Sequence, residues 1–73
     1  MKNTIKVERA KQNMTQQDLA EKIGVSRQTI NSIEAERYIP STVLALKIAA
    51  YFSSTVNAIF ILDENDWLNH FRQ

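Results

Sequence analysis

Arg27, Gln28, Asn31 and Ser32 bring a guanidinium, two amides and a hydroxyl close together in the middle of the chain. Their spacing places them on one side of an α-helix, which turns once every 3.6 residues. An ordinary solvated helix face is the alternative, but such a face is commonly filled with Lys and Glu. Arginine can pair with guanine, and glutamine or asparagine with adenine, through two hydrogen bonds each. These residue types therefore predict a helix that contacts base edges.

The other side of this helix is apolar and predicts a buried face. Ile30 and Ile33 fall opposite the polar residues when a helical period is applied. On the polar side, Ser32 and Ala35 are small and keep the helix slim enough for a DNA major groove. Ser26 precedes the helix and is a typical capping residue.

A second helix is predicted just before this one, and the only glycine of the chain separates the two. Thr15 is its predicted cap, with Asp18 acting as a shorter version of the glutamate of a capping box. Its apolar face is formed by Leu19, Ala20 and Ile23. Gly24 suits the left-handed conformation that ends a helix. We expect this sharp end to let the third helix cross the second at a wide angle.

Further helices are predicted on both sides of this pair. The first spans roughly residues 5–13, with Val7, Ala10 and Met14 on its apolar side. A fourth runs from Thr42 to about Phe52, and its apolar residues surround it almost completely, which predicts a position in the middle of the fold.

The last part of the chain gives a less definite pattern. Val56, Ile59 and Phe60 predict a short fifth helix. The segment 60–62 also fits a short strand, whereas Glu64, Trp67, Leu68 and Phe71 have helical spacing. Both alternatives stay open at this stage.

Length and composition indicate one domain, residues 1–73, and exclude several functions. The chain has 73 residues, 44% of them hydrophobic, no cysteine and a single histidine. We therefore expect no disulfide, no metal site, no cofactor and no enzymatic activity, because no base, acid or nucleophile has a catalytic spacing. The longest apolar stretch, VLALKIAAYF, is interrupted by Lys47 and too short to cross a bilayer. We expect a cytoplasmic protein without a membrane contact.

Charge is unevenly distributed along the chain. The net charge is +1, but residues 1–47 hold eight Lys and Arg against five Asp and Glu. From residue 48 onward, Arg72 is outnumbered by Asp63, Glu64 and Asp66. A polyanionic partner is therefore expected to contact the first two thirds of the chain.

Residues 16–35 resemble the helix-turn-helix of the lambda-Cro/xenobiotic-response-element class of transcriptional regulators. That pattern has a small residue where this chain has Ala20 and a glycine where it has Gly24. Its apolar positions are filled here by Leu19, Ile23, Val25, Ile30 and Ile33. Flanking similarity covers roughly residues 5–60. The resemblance implies a mainly all-α, lambda-repressor-like domain of five helices that binds double-stranded DNA, as compact Cro/C1-type repressors do.

The resemblance also assigns roles to individual residues. Arg27 and Gln28 are expected to reach base edges, with Asn31 and Ser32 deeper or beside them. Contacts to the DNA backbone are expected from the Gln16 amide and backbone N–H, with help from Gln17, and from the loop residues Arg37 and Tyr38. Arg9 and Glu34 are expected to form a structural ion pair that ties the first helix to the third.

The resemblance further implies a homodimer on a two-fold symmetric operator. The chain departs from the family pattern over residues 63–73, and the tail, residues 61–73, is a candidate for dimerisation. The candidate interface residues are Phe60, Ile61, Trp67, Leu68 and Phe71. One alternative is an antitoxin or phage-type accessory factor that binds a protein partner through this tail. Another is a domain that only dimerises, although the polar third-helix face argues against it.

Overall fold

The computed structural model describes the backbone of residues 1–71 and the side chains of residues 1–68. Its elements, in chain order, are β1 (Lys2–Asn3), α1 (Ile5–Lys11), α2 (Gln16–Ile23), α3 (Arg27–Glu34), α4 (Thr42–Tyr51), α5 (Val56–Ile59), β2 (Phe60–Ile61) and α6 (Glu64–Phe71). The predicted mainly helical class is confirmed. A sixth helix follows the five that the resemblance implies, and β1 pairs with β2 in a small antiparallel sheet, in which Lys2 pairs with Ile61 and Asn3 with Phe60.

Polar caps begin α2 and α3 where the sequence predicts them, and a third polar cap begins α4. The hydroxyl of Thr15 accepts a hydrogen bond from the backbone N–H of Asp18, whose carboxylate accepts one from the N–H of Thr15. Ser26 and Ser41 cap α3 and α4 in the same way with their hydroxyls. Each cap satisfies a backbone donor that has no partner inside its helix.

The turn between α2 and α3 depends on Gly24, which has a φ of 87°. The N–H of Gly24 makes the last regular helical hydrogen bond, to the carbonyl of Ala20 at 2.8 Å, and the left-handed conformation then turns the N–H of Val25 back to the same carbonyl at 3.0 Å. Ala20 itself is fully buried, and its small side chain allows α2 and α3 to pack closely. The turn therefore ends α2 abruptly and leaves one side of α3 open.

The core is built from one face of every helix from α1 to α5. Its twelve buried residues are Ile5, Leu19, Ala20, Ile23, Ile30, Ile33, Leu44, Ile48, Ala49, Phe52, Ile59 and Phe60. The predicted apolar side of α1 is wrong at two of its three residues, because Val7 and Ala10 are exposed, whereas Met14 packs against the core and Ile5 is fully buried. A helix of seven residues is too short for periodicity to identify its buried face.

The predicted burial of α4 on all sides is also wrong. Leu44, Ile48 and Ala49 are buried, but Val43 and Leu46 are 68% and 54% exposed. α2 and α5 pack against α4. They leave an apolar face of α4 open to solvent.

Both alternatives for the tail occur, one after the other. β2 follows α5 directly, and α6 then begins after a reciprocal cap in which Asp63 and Asp66 each accept the other's backbone N–H at 2.9 Å. β1 was not predicted from the sequence, and its pairing with β2 brings the amino terminus close to the start of α6. The Met1 ammonium lies 3.3 Å from a carboxylate oxygen of Asp63 and 3.3 Å from one of Asp66.

Candidate nucleic-acid interface

The polar side of α3 is exposed at its beginning and partly covered farther along. Arg27 and Gln28 are exposed, and Asn31 and Ser32 are partly buried. The opposite side is anchored by Ile30 and Ile33, as expected from their spacing. α3 therefore presents a guanidinium and an amide to solvent from a rigid position on the core.

A polar cleft of about 400 Å³ lies beside this helix. It is lined by Ser26, Gln28, Thr29, Ser32, Arg37 and Tyr38. Two of the expected base-reading residues, Gln28 and Ser32, therefore line the same cleft as Arg37 and Tyr38, the loop residues expected to contact the DNA backbone. Ser26 and Thr29 were missed as site residues, because sequence reasoning treated the first only as a cap and gave the second no role.

Ser26 and Thr29 contact each other within the polar cleft. Their hydroxyl oxygens are 2.9 Å apart, and the Ser26 hydroxyl also accepts the backbone N–H of Thr29. Both hydroxyls belong to the first turn of α3, where hydrogen-bonding groups at a helix N-terminus favour a negative partner. Their position beside Gln28 was the available sequence signal.

The first turn of α2 adds backbone donors to the same region. The N–H groups of Gln16 and Gln17 have no hydrogen-bond partner among the residues that the structure describes. The side-chain amide of Gln17 donates to the carboxylate of Glu21 at 3.3 Å. Gln17 is therefore an exposed side chain whose contact stays within its own helix.

The side chain of Gln16, whose amide is expected to bind a phosphate, contacts α3 in this structure. Its Nε2 lies 3.3 Å from Oδ1 of Asn31 and 3.3 Å from Oε1 of Glu34, so it donates toward α3. An amide nitrogen has only two hydrogens, and these two contacts use both. Only the backbone N–H of Gln16 is left to meet a phosphate in this arrangement.

Arg9 and Glu34 form the ion pair that the resemblance implied. Two guanidinium nitrogens of Arg9 lie 2.6 and 2.9 Å from the two carboxylate oxygens of Glu34, and a third donates to the carbonyl of Met14 at 2.8 Å. The hydrogen bonds with Glu34 raise the pKa of Arg9 against the opposing effect of burial. The pair holds α1 and the loop before α2 against α3.

The candidate interface residues of the tail fall into three groups. Phe60 is only 7% exposed and belongs to the core, so packing within one chain already accounts for it. Ile61, Trp67 and Leu68 are exposed. The side chain of Phe71 lies outside the described residues.

A second surface was not foreseen from the sequence, because α4 was expected to be buried. It is an apolar groove of about 390 Å³, lined by Met1, Ile39, Pro40, Thr42, Ala45, Leu46, Val56 and Phe60. Ile39 and Leu46 on its rim are 63% and 54% exposed. The groove begins one residue after Tyr38, so it adjoins the polar cleft along the chain.

The described part of the chain holds no cluster of three or more His, Cys, Asp or Glu able to bind a metal ion. Among the helices described, none is long and apolar enough to span a membrane. The geometry is instead that of a helical domain with one projecting polar helix.

Comparison with known proteins agrees with this geometry. A model of the helix-turn-helix family matches residues 5–59. Over 66 residues the chain is 52% identical to an uncharacterized HTH-type transcriptional regulator of Methanocaldococcus jannaschii, covering 90% of this chain and 100% of that protein. Similar proteins of the same description occur in Archaeoglobus fulgidus, 48% identical over 90% and 93% of the two chains, and in Bacillus subtilis, 44% identical over 90% and 100%. The chain therefore belongs to the helix-turn-helix family of DNA-binding transcriptional regulators, in its lambda-Cro/Xre class.

Proposed function

We propose that the protein is a repressor that binds a palindromic operator as a homodimer, with α3 of each copy in a major groove. The observation that carries this proposal is the exposed pair Arg27 and Gln28 on a helix whose other side is fixed in the core. Arginine and glutamine at the start of a recognition helix can select guanine and adenine. Occupying a promoter would then block transcription in the cytoplasm.

Contacts to the DNA backbone would hold α3 in register. The open N–H groups at the start of α2 can donate to one phosphate, aided by the helix dipole. The guanidinium of Arg37 and the hydroxyl of Tyr38 can reach another from the polar cleft. Such contacts carry no sequence information, so they set position while α3 reads the bases.

The apolar groove is the best-supported dimer interface. Ile39 and Leu46 are exposed beside the DNA-contacting loop, and a chain of this size gains stability when such residues are covered. A two-fold symmetric contact there would give the dimer the symmetry that a palindromic operator requires. The expected half-sites then lie about one helical turn apart.

Selection from a random duplex library at near-physiological salt tests the whole proposal without any prior choice of target. A homodimeric reader should enrich a palindrome with half-sites about one turn apart. Enrichment of a single unrepeated site would contradict the dimer. No enrichment by the folded protein would contradict sequence-specific binding.

The role of Gln28 is tested with the Gln28→Ala variant on the selected operator. Losing a bidentate contact should cost about 1 to 3 kcal/mol of specific binding and relax base preference at one position in each half-site. Affinity for unrelated DNA should change little, because phosphate contacts dominate there. Equal losses on both DNAs would show that Gln28 does not read bases.

The proposed dimer interface is tested with Leu46→Glu and a matched control. A carboxylate in the apolar groove should shift the dimer to monomer in sedimentation equilibrium and weaken operator binding. The control is Val7→Glu, because Val7 is 55% exposed on α1 and does not line the groove. Dimers of Leu46→Glu as stable as those of Val7→Glu would exclude this interface.

One observation favours a second function, binding of a protein partner by the tail. Trp67 and Leu68 on α6 are 52% and 47% exposed, and large exposed apolar residues are common at protein interfaces. An antitoxin or accessory factor would use them while α3 holds DNA. Trp67→Ala should leave operator binding unchanged if these residues serve a partner.

A further inference from the structure

A single side-chain amide on β1 connects the beginning of α1 with the end of α3. The amide oxygen of Asn3 accepts the backbone N–H of Ile5 at 3.3 Å, and its NH₂ group donates to the carbonyl of Ile33 at 2.9 Å. A carbonyl can only accept and a backbone N–H can only donate, so these two partners fix which way the amide is turned. The backbone of Asn3 pairs with Phe60 in the sheet. Asn3 is therefore held by α1, α3 and β2 together.

The carbonyl of Ile33 belongs to the turn that ends α3. It also accepts the N–H of Glu36 at 3.0 Å, and the N–H of Arg37 donates to the carbonyl of Ser32 at 2.9 Å. These two bonds form a Schellman turn, in which the left-handed residue is usually a glycine. Here that residue is Glu36, with a φ of 62°. The turn therefore carries a backbone cost, which the hydrogen bond from Asn3 helps to offset.

This turn sets the direction in which the chain leaves α3. Arg37 is bound within the turn through its own N–H, and its side chain lines the polar cleft beside α3. Because the side chain leaves the backbone at the last residue of the turn, opening the turn would change where the guanidinium lies relative to α3. The hydrogen bond from Asn3 to Ile33 is thus a contact on which the place of Arg37 depends.

We propose that Asn3 is a positioning residue, which holds the turn after α3 so that Arg37 meets a phosphate of the DNA. This inference rests on the proposed function, in which Arg37 contacts the DNA backbone. Contacts to phosphate contribute affinity and salt dependence and carry no sequence information. The loss of the Asn3 contact should therefore change how strongly the protein binds DNA and how steeply binding depends on salt.

The test uses Asn3→Ser, because a serine hydroxyl can still accept from Ile5 but is too short to reach Ile33. Binding to the selected operator is measured over a range of salt concentrations, beside Arg37→Ala and the double variant. Loss of one phosphate contact should lower the slope of log affinity against log salt concentration by about 1. We expect Asn3→Ser to lower the slope toward that of Arg37→Ala and to weaken binding by about two- to tenfold. The double variant should bind as Arg37→Ala does, because both changes remove the same contact.

Thr4→Ala is the matched control for the substitution. Thr4 is the next residue of the chain, and among the described residues its hydroxyl makes no capping hydrogen bond to α1. This variant should keep the wild-type affinity and the wild-type salt slope.

Amide hydrogen exchange in the free protein measures the positioning without DNA. The N–H of Arg37 should exchange about two- to tenfold faster in Asn3→Ser, as expected from the loss of one hydrogen bond. The N–H of Val25 is the internal reference, because it closes the turn after α2 by donating to Ala20 at 3.0 Å. A general loss of stability would accelerate both N–H groups, whereas loss of the Asn3 contact should accelerate that of Arg37 alone.

The outcomes separate the inference from the proposed function. A wild-type chain that enriches no operator overturns both. A wild-type salt slope in Arg37→Ala overturns the proposed phosphate contact and the inference with it. A slope that falls in Arg37→Ala but not in Asn3→Ser, or losses that add in the double variant, overturn the inference alone. Equal acceleration of the Arg37 and Val25 N–H groups would do the same.

Discussion

Glu34 is the residue at which α1, α2 and α3 are joined through side-chain hydrogen bonds. It accepts from Arg9 through both oxygens and from Gln16 through one of them. The paired geometry of a guanidinium and a carboxylate is among the stronger hydrogen-bonded arrangements in proteins. Side-chain exposures of 13% for Arg9 and 8% for Glu34 mean that solvent screens this pair only weakly.

Removing the carboxylate should therefore destabilise the fold. We expect Glu34→Ala to lower the free energy of unfolding by about 2 to 4 kcal/mol, because Arg9 keeps a partly buried charge without its partner. Urea unfolding at neutral pH measures this. The control is Glu21→Ala, whose exposed contact with Gln17 should be worth about 0.5 kcal/mol or less. Similar losses in the two variants would contradict the role given to Glu34.

At the residue scale, the exposure of Arg27 and Gln28 and the ion pair of Arg9 with Glu34 were predictable from the sequence, but the contacts of the Gln16 side chain were not. The types and spacing of Arg27 and Gln28 indicate an exposed reading face, and the structure leaves both exposed. The partner of the Gln16 side chain could not be read from the sequence, because α1, α2 and α3 must first pack before Gln16 reaches Asn31. Local pattern gives the face of a helix but not which distant side chains meet.

Four residues with positive φ lie in the loops after the first four helices, yet only one is a glycine. Asn13, Glu36 and Ser53 have φ of 54°, 62° and 52°, close to the left-handed well that other residues can enter at a cost. Gly24 has a φ of 87°, beyond that well. The turn between α2 and α3 is thus the one where glycine matters most.

Substitution of Gly24 should reveal backbone strain and not a steric clash. A Cβ atom there would meet only Nζ of Lys47, at 3.8 Å, so space is available. We expect Gly24→Val to lower the free energy of unfolding by about 1 to 2 kcal/mol. Each kcal/mol corresponds to a fall in melting temperature of roughly 4 to 8 °C.

Gly24→Asn provides the comparison, because asparagine tolerates positive φ better than a β-branched residue does. It should melt between the wild type and Gly24→Val. A melting temperature of Gly24→Val no lower than that of the wild type would contradict the strain.

At the element scale, caps and turns were predictable and burial was less so. The caps of α2, α3 and α4 act within four residues, so the local sequence suffices to identify them. Which face of α4 is exposed depends on the elements that pack against it. Because α4 is apolar on all sides, its sequence does not identify that face. β1 has two residues and is fixed by pairing with β2 far along the chain, which local pattern does not report.

At the scale of the whole molecule, ion pairs hold the amino terminus at the start of α6. The Met1 ammonium contacts Asp63 and Asp66, the same two carboxylates that cap this helix. Burial lowers the pKa of the Met1 ammonium, but hydrogen bonds and charge from the two carboxylates outweigh it and leave the pKa raised. The backbone N–H of Asp66 and, against some desolvation, the ammonium lower the pKa of Asp63.

These shifts predict that α6 is held in place over a limited pH range. The charged Met1 ammonium stabilises the fold fully below its ordinary pKa of 8.0. This stabilisation is lost as the pH rises through the higher pKa that the ammonium has in the folded chain. The lowered pKa of Asp63 stabilises the fold above the ordinary value of 3.8, and this is lost as pH falls through the folded-state value. Trp67 is the only tryptophan and lies in α6, so its fluorescence should change at both limits.

Acetylation of the amino terminus distinguishes this attachment from other titrations. The acetylated chain has no ammonium, so the alkaline change in Trp67 fluorescence that begins above pH 8.0 should disappear. The acidic change should persist, because the mutual caps of Asp63 and Asp66 remain. An alkaline change of equal size in the acetylated chain would mean that other groups cause it. The attachment would then be too weak to position α6, and with it the exposed side chains of Trp67 and Leu68.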